Sequence, residues 1–192
     1  LKGVGWYIDT VKRAQISINF NNYKGSTIHD VFDAACKLAD ERGIRVTGSE
    51  LVGLIPLDAI LMAGKHYLQK QGRTIGVPES DIIESAIQSL GLNDVTPFVP
   101  EEKIIEFAVG EKSGKLISLS VDGFTNELSS NSPAPGGGSV AALAGSLGAA
   151  LSSMVAALTH EKKGFESQKT EMNMIGQDAQ AIKDRLSFLV DE

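Results

Sequence analysis

The sequence predicts an α+β protein, in which a small ββαβααα layer domain is followed by an all-α segment that forms part of a helical bundle. Three observations predict this class. Strand-like runs occupy residues 3–10, 14–21 and 44–53. Apolar residues recur at three- and four-residue steps through most of the remainder. Residues 139–159 carry no charged side chain, which is typical of a helix buried on nearly all sides.

The composition excludes several classes of protein. With 192 residues, 42% hydrophobic and 22% charged, the chain is typical of a soluble globular protein. A net charge of −6 argues against nucleic acid or an anionic membrane as a partner. The single cysteine, Cys36, excludes an intramolecular disulfide and favours a reducing compartment, so we expect a cytoplasmic protein. The three histidines lack metal-ligand spacing, so we expect no metal.

The first two strands are predicted to form a hairpin through the polar link at residues 11–13. In the second strand, one face carries Ile16, Ile18 and Phe20, and the other carries Gln15, Ser17, Asn19 and Asn21. The polar face has two interpretations. It faces solvent, or its amides and hydroxyls bind a heterocycle or the end of an amino acid.

Four helices are predicted in the layer domain. The first begins at a capping box, Thr27 to Asp30, and stops at Gly43. His29 lies in its first turn, and we expect a surface or cap-adjacent residue because no partner is spaced to orient it. The other three begin at Pro56, Pro78 and Pro100 and extend to about Gly72, Gly91 and Phe107.

The third strand breaks at Gly48, Ser49 and Glu50, where glycine indicates a bulge or a close backbone approach. Glu50 lies between apolar neighbours and is a candidate site carboxylate. The alternative is an exposed turn residue or a partner for a helix dipole.

Domain boundaries follow from the change of pattern. We place the first domain at residues 1–109, a linker at 110–115 and the start of a helical domain at 116–192. A helix over 116–128 is expected to turn Leu119, Phe124 and Leu128 inwards, and a last helix covers 167–190.

A Pro/Gly loop precedes the uncharged run and reads Pro-Ala-Pro-Gly-Gly-Gly-Ser over residues 133–139. Ser139 is the predicted N-cap of the next helix. The loop is either a hinge or a site at which the free backbone N–H groups of Gly136, Gly137 and Gly138 bind an anion.

The uncharged run is long enough to cross a membrane. We reject that interpretation because Ala, Ser and Gly dominate the run and no aromatic belt flanks it. Lys162 and Lys163 follow it. They either cap the helix or attract the anionic tail of a substrate.

Specific motifs carry a resemblance to known enzymes. Four stretches look like the C-terminal half of the glutamate formiminotransferase domain: Gly5-Trp6-Tyr7, Ala14 to Asn19, Val46 to Leu57 and Pro100 to Glu106. A fifth stretch, Ala134 to Ala142, resembles the opening of the formiminotetrahydrofolate cyclodeaminase domain. Together and in this order they resemble the bifunctional formiminotransferase-cyclodeaminase family.

The resemblance implies two reactions. A formimino group passes from N-formimino-L-glutamate to N5 of tetrahydrofolate, in histidine breakdown. The 5-formiminotetrahydrofolate then closes to 5,10-methenyltetrahydrofolate and releases ammonia. Tetrahydrofolate, including polyglutamylated forms, is thus the expected co-substrate. We also expect the full-length protein to be a homo-oligomer, because a helix of small residues in half a bundle needs a partner.

The resemblance also implies where catalysis lies. The family's transferase histidine belongs to an N-terminal subdomain that we expect to be missing here. Its cyclodeaminase aspartate lies in a Val-Asp-x-Asp stretch that corresponds to Val190-Asp191-Glu192, so we expect it just past Glu192. This chain is therefore predicted to be a piece of a longer protein, inactive alone and without a catalytic residue.

Binding roles are expected for two groups of residues. Gln15, Ser17, Asn19, Gly48, Ser49 and Glu50 are expected to contact folate or formiminoglutamate. Gly136, Gly137, Gly138 and Ser139 are expected to hold folate, and Lys162 and Lys163 to meet glutamyl carboxylates. Two other interpretations stay open: a protein with only one of the two activities, and a structural or oligomerising helical module with the loop as a hinge.

Overall fold

The computed structural model describes residues 1–10, 12–110 and 114–192. In chain order its elements are β1 (Lys2–Ile8), β2 (Arg13–Asn19), α1 (Ile28–Asp40), α2 (Leu57–Lys70), α3 (Glu79–Leu90), α4 (Pro100–Lys103), α5 (Ile105–Val109), α6 (Val121–Leu128), α7 (Gly137–Glu161) and α8 (Lys169–Phe188), with a 3₁₀ turn at Glu166–Gln168. Within the described residues, a two-stranded sheet is followed by helices, which confirms the predicted α+β class. Residues 111–113 of the predicted linker lie outside the described residues.

The hairpin forms as predicted. β1 and β2 pair antiparallel, with Lys2 opposite Asn19 and Ile8 opposite Arg13. Val11, in the predicted polar link between them, lies outside the described residues.

The predicted strand over residues 44–53 is wrong. The stretch is irregular, and the described β-bridge comes just after it, where Ile55 pairs in parallel with Ile104. Ile44 and Val52 are exposed to solvent. An alternating pattern describes two faces, but a strand also needs a neighbour that satisfies its backbone N–H and C=O groups.

One compact unit comprises residues 1–67 and 83–109. Its core is formed mainly by α2 and α3, and α1 adds Ile28 and Phe32 at its margin. The buried side chains are Ile55, Ala59, Ile60, Ala63, Tyr67, Ile83, Ala86, Ile87, Leu90, Leu92, Phe98 and Ile104. The single helix predicted from Pro100 is in fact two short ones, because Ile104 takes an extended conformation to pair with Ile55.

Helix ends in the first half follow the sequence signals. The Thr27 hydroxyl accepts a hydrogen bond from the Asp30 N–H at 3.2 Å, which caps α1 as predicted. Gly43, Gly72 and Gly91 have φ values of +68°, +71° and +61°. These left-handed conformations follow α1, α2 and α3 and favour glycine, so the predicted glycine stops are confirmed.

The second compact unit comprises residues 68–82 and 110–192. Its centre is the antiparallel pair α7 and α8, in which the Ser146 hydroxyl contacts that of Ser187 at 2.8 Å and Gln180 donates to Ser153. A small core of Phe124, Ala142 and Val190 lies beside this pair.

The helix predicted from residue 116 begins later, at Val121. Ser120 is its N-cap and accepts a hydrogen bond from the Gly123 N–H at 3.0 Å. Phe124 is buried as predicted, whereas Leu119 and Leu128 are exposed. The cap decides the start, because the residues before it form a separate turn.

Two predictions about α7 are wrong. Gly136 is its N-cap, so Ser139 is the third helical residue rather than the cap. Only one face of α7 is buried, at Ala142, Ser146, Ser153, Ala156 and His160, while Leu147, Leu151, Met154, Val155 and Leu158 are exposed. Composition gives the apolar content of a helix, but its neighbours decide how many faces are covered.

By length and composition alone, α7 satisfies the criterion for a membrane span. Its most apolar window has a mean hydropathy of 1.7, and 28% of that window is buried. A core helix of a soluble protein passes the same test.

Candidate functional site

An open surface pocket of about 540 Å³, called the cavity below, lies at the start of α7 in the second unit. Its wall combines the N-terminal end of α7 with the C-terminal end of α8. The lining residues are Gly136, Gly138, Ser139, Ala141, Ala142, Leu186, Leu189 and Glu192. The Pro/Gly loop predicted to hold a ligand therefore does line a cavity, and Glu192 is part of the same wall.

The first turn of α7 presents its backbone to this cavity without a covering side chain. Gly136 is the N-cap residue, and it makes no side-chain hydrogen bond to the first turn. A Cβ atom added at Gly136, Gly137 or Gly138 would meet no atom within 4 Å. Packing among the described residues therefore does not require these glycines. Their effect is to keep the N–H groups of the first turn accessible, where the helix dipole favours negative charge.

Asp191 has a structural role that the sequence did not indicate. Its carboxylate accepts hydrogen bonds from the N–H groups of Leu116 at 2.7 Å and Ile117 at 3.1 Å. It thereby ties the turn before α6 to the end of α8, next to Glu192 in the cavity wall. Charge-assisted bonds of this kind are stronger than neutral ones.

Lys162 and Lys163 lie at the opposite end of α7 from the glycine loop. The helix spans Gly137–Glu161, which corresponds to roughly 37 Å at about 1.5 Å per residue. Both lysines are exposed, and the Lys162 ammonium lies 5.0 Å from the centre of the Phe165 ring. The structure does not bring them together with Gly136 to Ser139 in one chain.

The polar face of the hairpin carries an aromatic residue that the strand pattern alone did not assign to it. Opposed residues of an antiparallel pair share a face, so Gln15 lies beside Trp6 and Ser17 beside Val4. Gln15 and Ser17 are half-buried, whereas Asn19 is exposed. Trp6 is also exposed, and it offers a flat apolar surface next to the amide of Gln15.

The stretch Gly48 to Glu50 is mostly a packing feature. The Ser49 hydroxyl donates to the Leu90 carbonyl at 2.6 Å, and its N–H donates to the Gly91 carbonyl at 3.0 Å. A Cβ at Gly48 would collide with the carboxylate of Asp94. A Cβ at Gly91 would lie 2.9 Å from the Gly48 Cα, which confirms the close backbone approach indicated by the glycine. Of the three residues, only Glu50 is exposed.

A cluster of titratable side chains joins α1 and α2. The His29 and His66 rings stack with centroids 4.3 Å apart, and His66 Nε2 lies 3.1 Å from an Asp33 carboxylate oxygen. The Tyr67 hydroxyl donates to the other Asp33 oxygen at 3.2 Å. His29 is only 8% exposed, so it is not a surface residue, whereas its predicted position next to the Thr27 cap is confirmed.

The environment of this cluster shifts two pKa values. Burial, and then the charge of His66, lowers the pKa of His29. Burial, and then the neighbouring Asp33 carboxylate, raises the pKa of Tyr67. The signal in the sequence was the spacing of His29 and Asp33, which places both on one face of α1. Among the described residues, no group of three or more His, Cys, Asp or Glu side chains is placed to hold a metal ion.

Comparison with known families identifies the chain. A family model described as Formiminotransferase domain matches residues 1–110. The chain belongs to this family. A second model, described as Formiminotransferase-cyclodeaminase, matches residues 120–192. The order of the two matches agrees with the order of the motifs in the sequence.

Relatives of this formiminotransferase-family chain include longer proteins. It is 43% identical over 170 residues to the formimidoyltransferase-cyclodeaminase of Dictyostelium discoideum. The aligned segment covers 87% of this chain and 32% of that protein. Identity to the Mus musculus protein of the same name is 37%, covering 100% of this chain and 36% of that protein. A methenyltetrahydrofolate cyclohydrolase of Methylorubrum extorquens is 33% identical over 70 residues, covering 36% of this chain and 34% of that protein. The chain thus spans about a third of the length of these relatives.

Proposed function

We propose that this chain is part of a bifunctional folate enzyme of histidine degradation. In the first reaction, N5 of tetrahydrofolate attacks the amidine carbon of N-formimino-L-glutamate, and the bond from that carbon to the glutamate nitrogen breaks. In the second, N10 attacks the same carbon and ammonia leaves. The observation that carries this proposal is the presence of both family matches, in order, in one chain. The names of the relatives agree with both steps.

The cavity at the start of α7 is the proposed folate-binding part of the second site. The accessible N–H groups of Gly136 to Ser139 would hold a negatively charged or carbonyl group of the folate. Loss of ammonia requires a proton at the leaving nitrogen, which suits a carboxylate held in the same wall. Glu192 lines that wall, and the resemblance implies that the family's catalytic aspartate belongs to the same acidic stretch.

The first unit is proposed to contribute contacts rather than catalysis to the transferase. Gln15, Ser17 and Asn19 offer amide and hydroxyl groups beside Trp6, a surface suited to a heterocycle. Glu50 is exposed and free to meet a substrate amine, whereas Gly48 and Ser49 hold the backbone in place. The proposed domains remain 1–109 and 116–192, joined by the linker at 110–115.

The proposal extends to the partners and the location of the whole protein. The exposed apolar side chains of α7 support a homo-oligomer, and the single cysteine is compatible with the cytoplasm. The co-substrate is tetrahydrofolate, including polyglutamylated forms. The chain alone is expected to release no ammonia from 5-formiminotetrahydrofolate.

The test compares two valine substitutions in α7 of the full-length protein. Gly138→Val places a branched side chain in the cavity wall, where nothing within 4 Å opposes it, so the fold should survive. Gly148→Val is the matched control, since Gly148 lies on the same helix, has equally free space and does not line this cavity. We expect Gly138→Val to lower ammonia release by about a hundredfold or more while formimino transfer is retained. Equal loss of both activities would support a hinge.

A structural or oligomerising helical module is the second candidate function. The exposed Leu147, Leu151 and Leu158 on α7 favour it. A titration with tetrahydrofolate separates the two candidates, because a structural module would not bind it even as the full-length chain. A protein that kept only one activity would bind folate and fail in one of the two assays.

A further inference from the structure

A short turn in the first family match belongs structurally to the second unit. Residues 73–76, which we name the docking turn, lie within the segment matched by the Formiminotransferase domain model. The compact unit that contains them is nevertheless the one built on α7 and α8, in the segment matched by the second model.

Polar contacts hold the docking turn to α8. The side-chain oxygen of Asn173 accepts two hydrogen bonds, from the Thr74 hydroxyl at 2.8 Å and from the Ile75 N–H at 2.9 Å. The Gly76 N–H in turn donates to the Thr74 hydroxyl at 3.0 Å. Thr74 is only 2% exposed, so removal of Asn173 would leave buried donors without an acceptor.

A second set of polar contacts holds the turn to α7. The Ser153 hydroxyl donates to the Gly76 carbonyl at 3.2 Å and accepts from the Gln180 amide at 2.8 Å. Ser153 is 3% exposed. By contrast, the ion pair between Arg73 and Glu161, at 3.5 Å, is more than half exposed on both sides and contributes little.

Two glycines let the backbones meet. A Cβ atom added to Gly76 would lie 2.6 Å from the carbonyl carbon of Gly176 and 2.7 Å from its Cα. These are backbone atoms of α8, which cannot move aside as a flexible side chain can. Gly76 and Gly176 are both buried. The turn therefore fits a socket formed by Ser153, Asn173 and Gly176.

We propose that the docking turn is an interaction site that holds the two family-matched segments together independently of the linker between them. Its partner is the socket on α7 and α8, and recognition depends on one amide side chain and one glycine–glycine contact. The linker is then a covalent tether, and the docking turn supplies the specific contact.

The test cuts the linker and asks whether the pieces stay together. A protease site replaces residues 111–113 in the full chain, and the cleaved protein is examined by size-exclusion chromatography and by dilution. The two pieces should co-elute. Asn173→Leu or Gly76→Val should weaken their association by about tenfold or more, because buried donors lose an acceptor or the backbones are forced apart.

Matched variants separate this effect from general damage. Gln177→Leu alters an exposed residue of α8, whose side-chain amide donates to the Asn173 carbonyl within the same helix, and should leave association unchanged. Asn173→Asp keeps the accepting oxygen and should retain it. Separation of the unmodified pieces on cleavage, or equal weakening by Gln177→Leu, would overturn the proposal.

A second measurement uses the uncut chain. The Ile75 amide should be protected from hydrogen exchange, and Asn173→Leu should remove that protection while Asn173→Asp keeps it. An unprotected Ile75 amide in the unchanged protein would also overturn the proposal. Neither experiment involves folate, so failure here is distinct from failure of the proposed enzyme activity.

Discussion

Two sets of glycines in the helical unit have opposite surroundings. At Gly136, Gly137 and Gly138 an added Cβ meets open space, whereas at Gly76 it would strike the backbone of Gly176. The first set leaves N–H groups accessible at a cavity, and the second brings two backbones into contact. Glycine therefore has two distinct structural roles here: at Gly136 to Gly138 it leaves backbone N–H groups accessible, and at Gly76 it allows two backbones to pack closely. Substitutions at the two places should behave differently.

The largest expected effect is at the close contact. Gly76→Val should lower the free energy of unfolding by about 3 kcal/mol or more, because neither backbone can move away without disturbing α8. Urea unfolding measures this, with Gly148→Val as the control. A loss as small as that of the control would remove the distinction between the two glycine sets.

Gly114 tests the same idea where the obstacle is a side chain. A Cβ there would collide with the Asp191 carboxylate, so Gly114→Ala should cost about 1–2 kcal/mol through the bonds to Leu116 and Ile117. In an Asp191→Ala background the same change should cost almost nothing. If the cost were the same in both backgrounds, the carboxylate would not be the cause.

The two units can also be compared through the pH dependence of the free energy of unfolding, because each contains a buried histidine. Burial lowers the pKa of His29, aided by His66, and that of His160, aided by Lys169. Each binds fewer protons when folded than when unfolded, so the free energy of unfolding is highest above the ordinary pKa of 6.5 and falls as the pH drops below it. His29→Gln should flatten this fall in urea midpoints measured from about pH 8 to about pH 5. An unchanged slope would contradict it.

The smallest effect is expected at the cavity. Gly136→Ala should change the free energy of unfolding by no more than about 0.5 kcal/mol, because its extended backbone accepts any residue and its Cβ meets nothing. Thermal unfolding measures this. A loss comparable to that of Gly76→Val would show that the loop is held by packing and is not kept open.

Local signals predicted the parts of the fold that local physics decides. The alternation of residues 14–21 gave the hairpin, and Thr27 gave the start of α1. The strand over 44–53 failed because pairing depends on a distant partner, which at Ile55 proved to be Ile104. The prediction that α7 is buried on nearly all sides failed for a related reason, since composition does not show which neighbours a helix has.

The candidate site likewise has features that neighbouring residues predict and features that depend on residues distant in sequence. The glycine loop was predicted from consecutive residues and does line a cavity, but the place of Asp191 depends on amides that lie far away in sequence. The contact of Gly76 with Gly176 and the bonds from Thr74 to Asn173 are equally distant. No local pattern marks such contacts. His29 was misjudged because its partner, His66, lies on another helix.

The separation of the docking turn from its socket has a consequence for synthesis on the ribosome. Thr74 and Asn173 are 99 positions apart. At about 5–20 residues per second, Thr74 is made roughly 5–20 s before Asn173. During that interval the first unit can complete its core, whose buried residues all precede residue 105. The polar groups of the docking turn are meanwhile hydrogen-bonded to water. The nascent chain thus reaches its final form in two stages, and the second stage begins only when α8 has emerged.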